Sequence, residues 1–168
     1  MKIVIDTNIL LSALIKDSIT RKIIVESEWD FYYPKMSLHE IRKYKDLVLG
    51  KSGMEEREYE ELLTRLLEYV EIIPDENINK HLNEANQILS EIDPDDIVFV
   101  ATAISIEDSI IWSDDGDFEK QDKIKVLETE DVIDLFFSGK VDKKRSLIRI
   151  LNFHFSRINF ATSTSLLE

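Results

Sequence analysis

The sequence predicts an α/β fold in which a central parallel sheet is covered by helices on both faces, and three observations predict it. Short apolar runs alternate with longer stretches of helical periodicity, and no Asn-Gly dipeptide closes a hairpin between two such runs. Alternation of that kind calls for crossover connections and parallel strands. The first apolar run, residues 3–5, stops abruptly at Asp6, as a buried strand does on reaching the rim of its sheet. Residues 97–106 have helical spacing yet are apolar nearly all round, with Val98, Phe99, Ala101, Ala103 and Ile104. Such a helix is buried on most of its surface.

After the first strand, residues 9–15 and 21–28 read as helical segments broken near Asp17-Ser18. Phe31-Tyr32-Tyr33 is a short strand ended by Pro34. Ser37 with Glu40 three residues later fits a capping box opening a helix over residues 37–49, which Gly50 would stop. Ser52 with Glu55 fits a second capping box. The helix behind it carries Tyr59, Leu62, Leu63, Leu66, Leu67 and Val70 at helical spacing. Its apolar stripe could meet a second subunit, but packing on the chain's own sheet is the simpler account.

Glu71-Ile72-Ile73 is a strand closed by Pro74, and residues 78–92 form one amphipathic helix. Asp93 suits the N-cap of the next helix and Pro94 its first position. Residues 109–112 and 125–127 are further strands, and residues 129–137 a last helix ended near Gly139. The expected domain is thus residues 1–139. Residues 140–168 form a separate extension, basic through Lys140, Lys143, Lys144, Arg145, Arg149 and Arg157. Its apolar residues fit a strand or a helix, and its end is expected to be mobile.

A length of 168 residues, with 43% hydrophobic and 33% charged residues, suits one folded domain with a sizeable core. The absence of cysteine excludes disulfides and thiolate metal sites. No apolar run nears the roughly 20 residues that span a bilayer, and the N-terminus lacks a signal-peptide pattern, so the expected location is the cytoplasm. A net charge of −13 argues against a non-specific nucleic-acid binder. It leaves room for an enzyme that meets phosphate through metal ions.

Carboxylates stand at element ends in four places: Asp6 after the first strand, Glu40 and Asp96 in the first turns of helices, and Asp115 with Asp117 after a later strand. Taken singly, each has a structural reading as a cap, a helix-dipole partner or a turn residue. Taken together, they can converge at the carboxyl edge of a parallel sheet, where ligands bind. Unit charges about 4 Å apart repel by roughly 4 kcal/mol at an effective dielectric near 20, so such a crevice calls for cations. Hard oxygen ligands point to Mg²⁺ or Mn²⁺, and a carboxylate-held pair of ions suits phosphodiester hydrolysis. No general base is apparent: the histidines are His39, His81 and His154. His39 adjoins Glu40, but neighbours on a helix face apart.

These residues also resemble a known family. Asp6-Thr7-Asn8 resembles the opening signature of PIN-domain ribonucleases, and His39-Glu40-Ile41 is similar to their second motif. Asp96 leading Ile97-Val98-Phe99-Val100-Ala101-Thr102-Ala103 resembles their acidic residue before an Ala-rich helix. Ser113-Asp114-Asp115-Gly116-Asp117-Phe118 is similar to their closing motif. The four motifs keep the family's order and spacing up to about residue 138. The resemblance narrows to small prokaryotic PIN proteins, which include VapC-type toxins.

The resemblance implies a three-layer α/β/α sandwich that cleaves RNA with Mg²⁺ or Mn²⁺. Asp6, Glu40, Asp96 and Asp115 would be the catalytic, metal-binding core, with Asp117 an outer carboxylate. Thr7, Asn8 and Ser113 would orient ligands or water. Asp95 adjoins Asp96 as an extra acid, and Asp114 stands where the family often has a small or neutral residue. Asp115 is preferred because Asp-x-Asp-Phe then aligns.

A homodimer or higher homo-oligomer is a further implication, with an antitoxin partner if the protein is a toxin. Arg42, Lys43 and Lys45, just past Glu40, read either as a solvated face of mixed charge or as a guide for an RNA backbone. Two other functions compete. One is a non-catalytic PIN-like scaffold for RNA or protein. The other is a Mg²⁺-dependent phosphatase, which needs a second acid where Asn8 stands.

Overall fold

In the computed structural model, residues 1–15, 18–89 and 94–138 are described. The elements run β1 (Lys2–Ile5), α1 (Thr7–Leu14), α2 (Ile19–Glu26), β2 (Asp30–Pro34), α3 (Leu38–Lys43), α4 (Lys45–Ser52), α5 (Glu56–Leu67) and β3 (Val70–Ile73). They continue with α6 (Asp75–Ile78), α7 (Leu82–Ile88), α8 (Pro94–Ile104), β4 (Ser109–Trp112), β5 (Val126–Leu127) and α9 (Thr129–Ser138). Among the described residues the sheet has five strands in the order β3-β2-β1-β4-β5, and their pairings are all parallel. The α/β class read from the alternation is therefore the one observed.

β1 lies at the centre, with Ile3, Val4 and Ile5 each at 0% exposure. That total burial explains why the strand is a continuous apolar run rather than an alternating one. On one side Val4 pairs with Tyr32, and on the other Ile5 pairs with Trp112. The chain leaves β1 toward β2 and β3, then crosses to β4 and β5, so the order reverses at β1. Such a switch point opens a crevice beyond the carboxyl ends of the two diverging strands. Those ends are Asp6 and Ser113.

Helices α1, α2, α5 and α9 pack against one another, and α6 and α7 pack on α8, which lies across β1, β2 and β4. The core holds the apolar faces of both groups. Within α8, Phe99, Val100, Ala101, Thr102 and Ala103 are all buried, as the apolar stretch required. Thr102 returns its hydroxyl to the Val98 carbonyl at 2.7 Å, which satisfies it inside the core. In α5, Tyr59, Leu63 and Leu66 are buried against the chain's own core. No helix among the described residues is long and apolar enough to cross a membrane.

The local signals depart from expectation at several ends. Ser37 closes a 3-10 turn, Lys35–Ser37, that runs straight into α3, and its side chain makes no cap hydrogen bond. The predicted box with Glu40 therefore does not form, because a capping residue needs extended backbone. The helix expected over residues 37–49 is broken at Tyr44 (φ −96, ψ 10) into α3 and α4. Gly50 lies inside α4; the stop is Gly53, left-handed at φ 67, whose N–H reaches the Leu49 carbonyl at 2.9 Å. The second box is made by Glu55 and Glu58, not by Ser52 and Glu55. Of the helix expected over residues 78–92, α7 covers Leu82–Ile88, α6 ends at Ile78, and residues 90–92 lie outside the described residues. The Asp93 cap and the extension 140–168 lie outside the described residues.

The two glycines give opposite expectations. An added Cβ meets nothing within 4 Å at either position. Gly50→Ala should raise stability by about 0.5–1 kcal/mol, as a helix-interior exchange. Gly53→Ala should lower it by about 1 kcal/mol, through its left-handed backbone. Urea denaturation checks both, and effects of the same sign would contradict the assignment of the helix end.

Candidate active site

Asp6 ends β1 and stands at the N-cap of α1, but its side chain does not cap that helix. Its backbone N–H instead continues the sheet, donating to the Trp112 carbonyl at 3.1 Å. Its Oδ2 accepts from the Ser113 hydroxyl at 2.9 Å, and the residue is only 5% exposed. Burial raises its pKa from an ordinary 3.8 to about 6. The Ser113 hydroxyl and the Thr7 N–H oppose the rise, whereas the charges of Asp115 and Glu40 add to it. Two of the predicted acids are thus close enough to Asp6 for their fields to be felt.

Glu40 is brought in from α3. Thr7, buried at the start of α1, donates to Glu40 Oε2 at 2.7 Å, and Thr7 Oγ1 also lies 2.8 Å from the Tyr33 hydroxyl. Tyr33 ends its own bonds on the Ser37 carbonyl at 3.0 Å. Its phenol is pushed well above the usual range by burial first, then by the charges of Glu40 and Asp6. It therefore keeps its hydrogen. Sequence reading missed Tyr33; the signal was a phenol at the carboxyl end of the strand adjacent to β1. Asn8 is exposed, and its side chain makes no hydrogen bond among the described residues.

The acids after β4 separate by their partners. Ser113, placed by its N–H on the Leu127 carbonyl, accepts from the Asp115 N–H at 3.0 Å while holding Asp6. Asp115 Oδ1 accepts from the Asp117 N–H at 2.9 Å. Asp114 points away from this loop: its two oxygens take the Thr129 N–H at 2.6 Å and the Thr129 hydroxyl at 2.7 Å. Thr129 Oγ1 in turn accepts from the Trp112 indole at 3.0 Å. Asp114 thus anchors α9 to β4. Asp117, expected as an outer ligand, gives one oxygen to Lys120 at 2.6 Å.

Asp95 and Asp96 both lie in the first turn of α8, Asp95 exposed and Asp96 half-buried. The helix packs on the 3-10 turn before α3, and Phe99, one turn past Asp96, meets the Tyr33 ring edge-on at 5.8 Å. That contact brings the start of α8 toward the ends of β1 and β2. Among the expected RNA-binding cations, Lys45 is already neutralised by Glu56 at 2.6 Å and Glu60 at 2.8 Å. Arg42 and Lys43 are exposed. His39 is exposed, its Nδ1 held by the Met36 carbonyl, so the imidazole next to Glu40 in sequence is engaged elsewhere.

The donor set fits a hard cation: oxygen-only, acidic, partly buried, and with no cation among the interactions that set the Asp6 pKa. Among the described residues, however, no three acidic or imidazole side chains stand in joint ligating reach.

A PIN-domain family model matches residues 4–134. The chain belongs to the PIN-domain family. PIN domains are generally nucleases. A chain from the crystal structure of VapBC2 from Rickettsia felis, bound to a DNA fragment from their promoter, is similar in fold at a TM-score of 0.58. The two share 15% identity, and the match covers 76% of this PIN domain chain and 98% of the other. No curated protein matches it.

The buried acid makes the metal-free PIN domain sensitive to pH. Because the folded pKa of Asp6, about 6, exceeds the ordinary 3.8, the folded state binds more protons between those values, and stability falls as pH rises through them. The whole loss is on the order of 3 kcal/mol and is complete above the folded pKa. Asp6→Asn should therefore stabilise the chelator-treated protein most at pH 8 and hardly at all near pH 4, as read by denaturant unfolding. An equal gain at both would contradict the burial argument.

Proposed function

We propose that this PIN domain is a Mg²⁺- or Mn²⁺-dependent endoribonuclease. The observation that carries the proposal is Asp6: a carboxylate buried at the switch point of the sheet, with Asp115 and Glu40 adding like charge. Asp6, Glu40, Asp96 and Asp115 are the residues that would hold the ion, with Asp117 an outer acid once it releases Lys120. A bound ion would offset the repulsion among these acids and would supply Lewis-acid activation of a phosphodiester and of water. Ser113 and Thr7 orient Asp6 and Glu40 through their hydroxyls, and Asn8 faces the solvent from which substrate arrives.

Asp6→Asn and Asp96→Asn should each lower Mn²⁺-dependent cleavage of RNA by roughly hundredfold or more, since even outer partners of metal ligands cost 10–100-fold. Circular dichroism should show the fold kept. Asp115→Asn should do the same, whereas Asp114→Ala should cost about 1 kcal/mol of stability, as lost caps do, and leave cleavage intact. Retained cleavage in both Asp6→Asn and Asp96→Asn would overturn the assignment.

Arg42 and Lys43 are the cations left to guide an RNA backbone toward the acids. Reversing both to Glu should slow cleavage and flatten its dependence on salt; an unchanged rate and salt slope would remove them from the interface.

The fold shared with a VapBC2 chain supports a toxin role in the cytoplasm, with an antitoxin partner and self-association. One observation favours a second reading, a non-catalytic scaffold: the lack of a ready-made three-acid cluster among the described residues. Calorimetric titration with MnCl₂ separates the two, because a scaffold binds no ion at millimolar concentration or below.

A further inference from the structure

We propose that Tyr33 is a positioning residue for Glu40, acting through Thr7 and the Ser37 carbonyl to leave one chosen carboxylate oxygen open to a cation. This rests on the reading of Glu40 as a metal ligand. Three contacts join Tyr33, Thr7, Ser37 and Glu40: Thr7 Oγ1 to Glu40 Oε2 at 2.7 Å, Thr7 Oγ1 to the Tyr33 hydroxyl at 2.8 Å, and that hydroxyl to the Ser37 carbonyl at 3.0 Å. Only two hydrogens serve them, one on each hydroxyl, because an ionised carboxylate and a carbonyl have none to give. The Thr7 hydrogen must go to Glu40. The Tyr33 hydrogen is then shared between Thr7 and Ser37, so donation runs one way, from Tyr33 through Thr7 to Glu40.

Two consequences follow. Glu40 Oε2 is held, while Oε1 takes no hydrogen bond among the described residues. The hydroxyl that starts the chain of donors is itself fixed by the core, since Tyr33 is at 0% exposure and packs edge-on against Phe99 at 5.8 Å. It thereby joins the end of β2, the start of α1 and the turn leading into α3, the three segments whose relative placement decides where Glu40 stands. A hydrogen bond that fixes the orientation of a metal ligand typically carries a large share of the site's affinity.

The test is Mn²⁺ binding by calorimetry on the full chain, with Tyr33→Phe, Tyr32→Phe, Glu40→Gln and the double variant Tyr33→Phe/Glu40→Gln. Tyr33→Phe keeps the buried ring and should unfold cooperatively like the parent. It should bind Mn²⁺ roughly tenfold more weakly, with no further loss when added to Glu40→Gln. Tyr32→Phe, on the neighbouring residue, should bind as the parent does. If Tyr33→Phe fails to fold, Thr7→Ser against Thr7→Val asks the same question, with only the serine expected to keep full affinity. An unchanged affinity in Tyr33→Phe, or the same factor lost in the Glu40→Gln background, overturns the proposal. If Glu40→Gln itself binds like the parent, the reading of Glu40 as a ligand falls and this proposal with it; a weakened Glu40→Gln beside a silent Tyr33→Phe removes the proposal alone.

Discussion

The hydrogen bond from Ser113 to Asp6 is the interaction on which the acidic end of this molecule is built. It spans the two strands that diverge at the centre of the sheet, and both of its ends are pinned by backbone: Asp6 by the Trp112 carbonyl, Ser113 by the Leu127 carbonyl. The same hydroxyl receives the Asp115 N–H, and Asp115 then receives the Asp117 N–H. The acidic loop after β4 therefore hangs from the group that holds the buried carboxylate. Asp6 cannot turn out to water without breaking that arrangement, so the fold retains an acid whose ionised form burial disfavours. Holding an ionisable group in an unfavourable place is how sites with perturbed acidity are commonly made.

Identical side chains are sorted by what surrounds them. Asp114 and Asp115 are neighbours in sequence, yet one is saturated by Thr129 and ties α9 to β4, while the other adds its charge to the field at Asp6. Asp117 is balanced by Lys120, and Lys45 by two glutamates. Asp115 and Glu40, by contrast, add like charge at Asp6, and no cation is among the interactions that set its acidity. With a net charge of −13, approach of the proposed RNA substrate would depend on exposed cations such as Arg42 and Lys43 and on the proposed ion, not on the average surface.

Much of the fold was legible because its signals are local and redundant. Residues 3–5 read as a buried strand because three consecutive apolar residues can only be hidden on both faces at once, and α8 read as a buried helix for the same reason. Pro94 and Gly53 illustrate the limit. Pro94 opens α8 as expected, but the stop assigned to Gly50 belongs to Gly53, since a glycine is compatible with a helix interior and only its φ tells the two uses apart. Likewise Glu40 had the spacing of a capping partner, and the competing acceptor role was invisible because its donor, Thr7, is far off in sequence and brought near by the β2–α3 connection.

By itself, then, the sequence determined that strands and helices alternate, that the strands are parallel, and which carboxylates fall at element ends, since each follows from hydrophobic period and chain punctuation within a few residues. Only the tertiary structure decided which of those carboxylates share a field, which are spent on Thr129 or Lys120, and that a buried tyrosine reaches Glu40 through Thr7. Those outcomes depend on distances between segments far apart in the chain. Electrostatic and hydrogen-bond energies change steeply over a few ångströms, a scale that residue spacing does not encode.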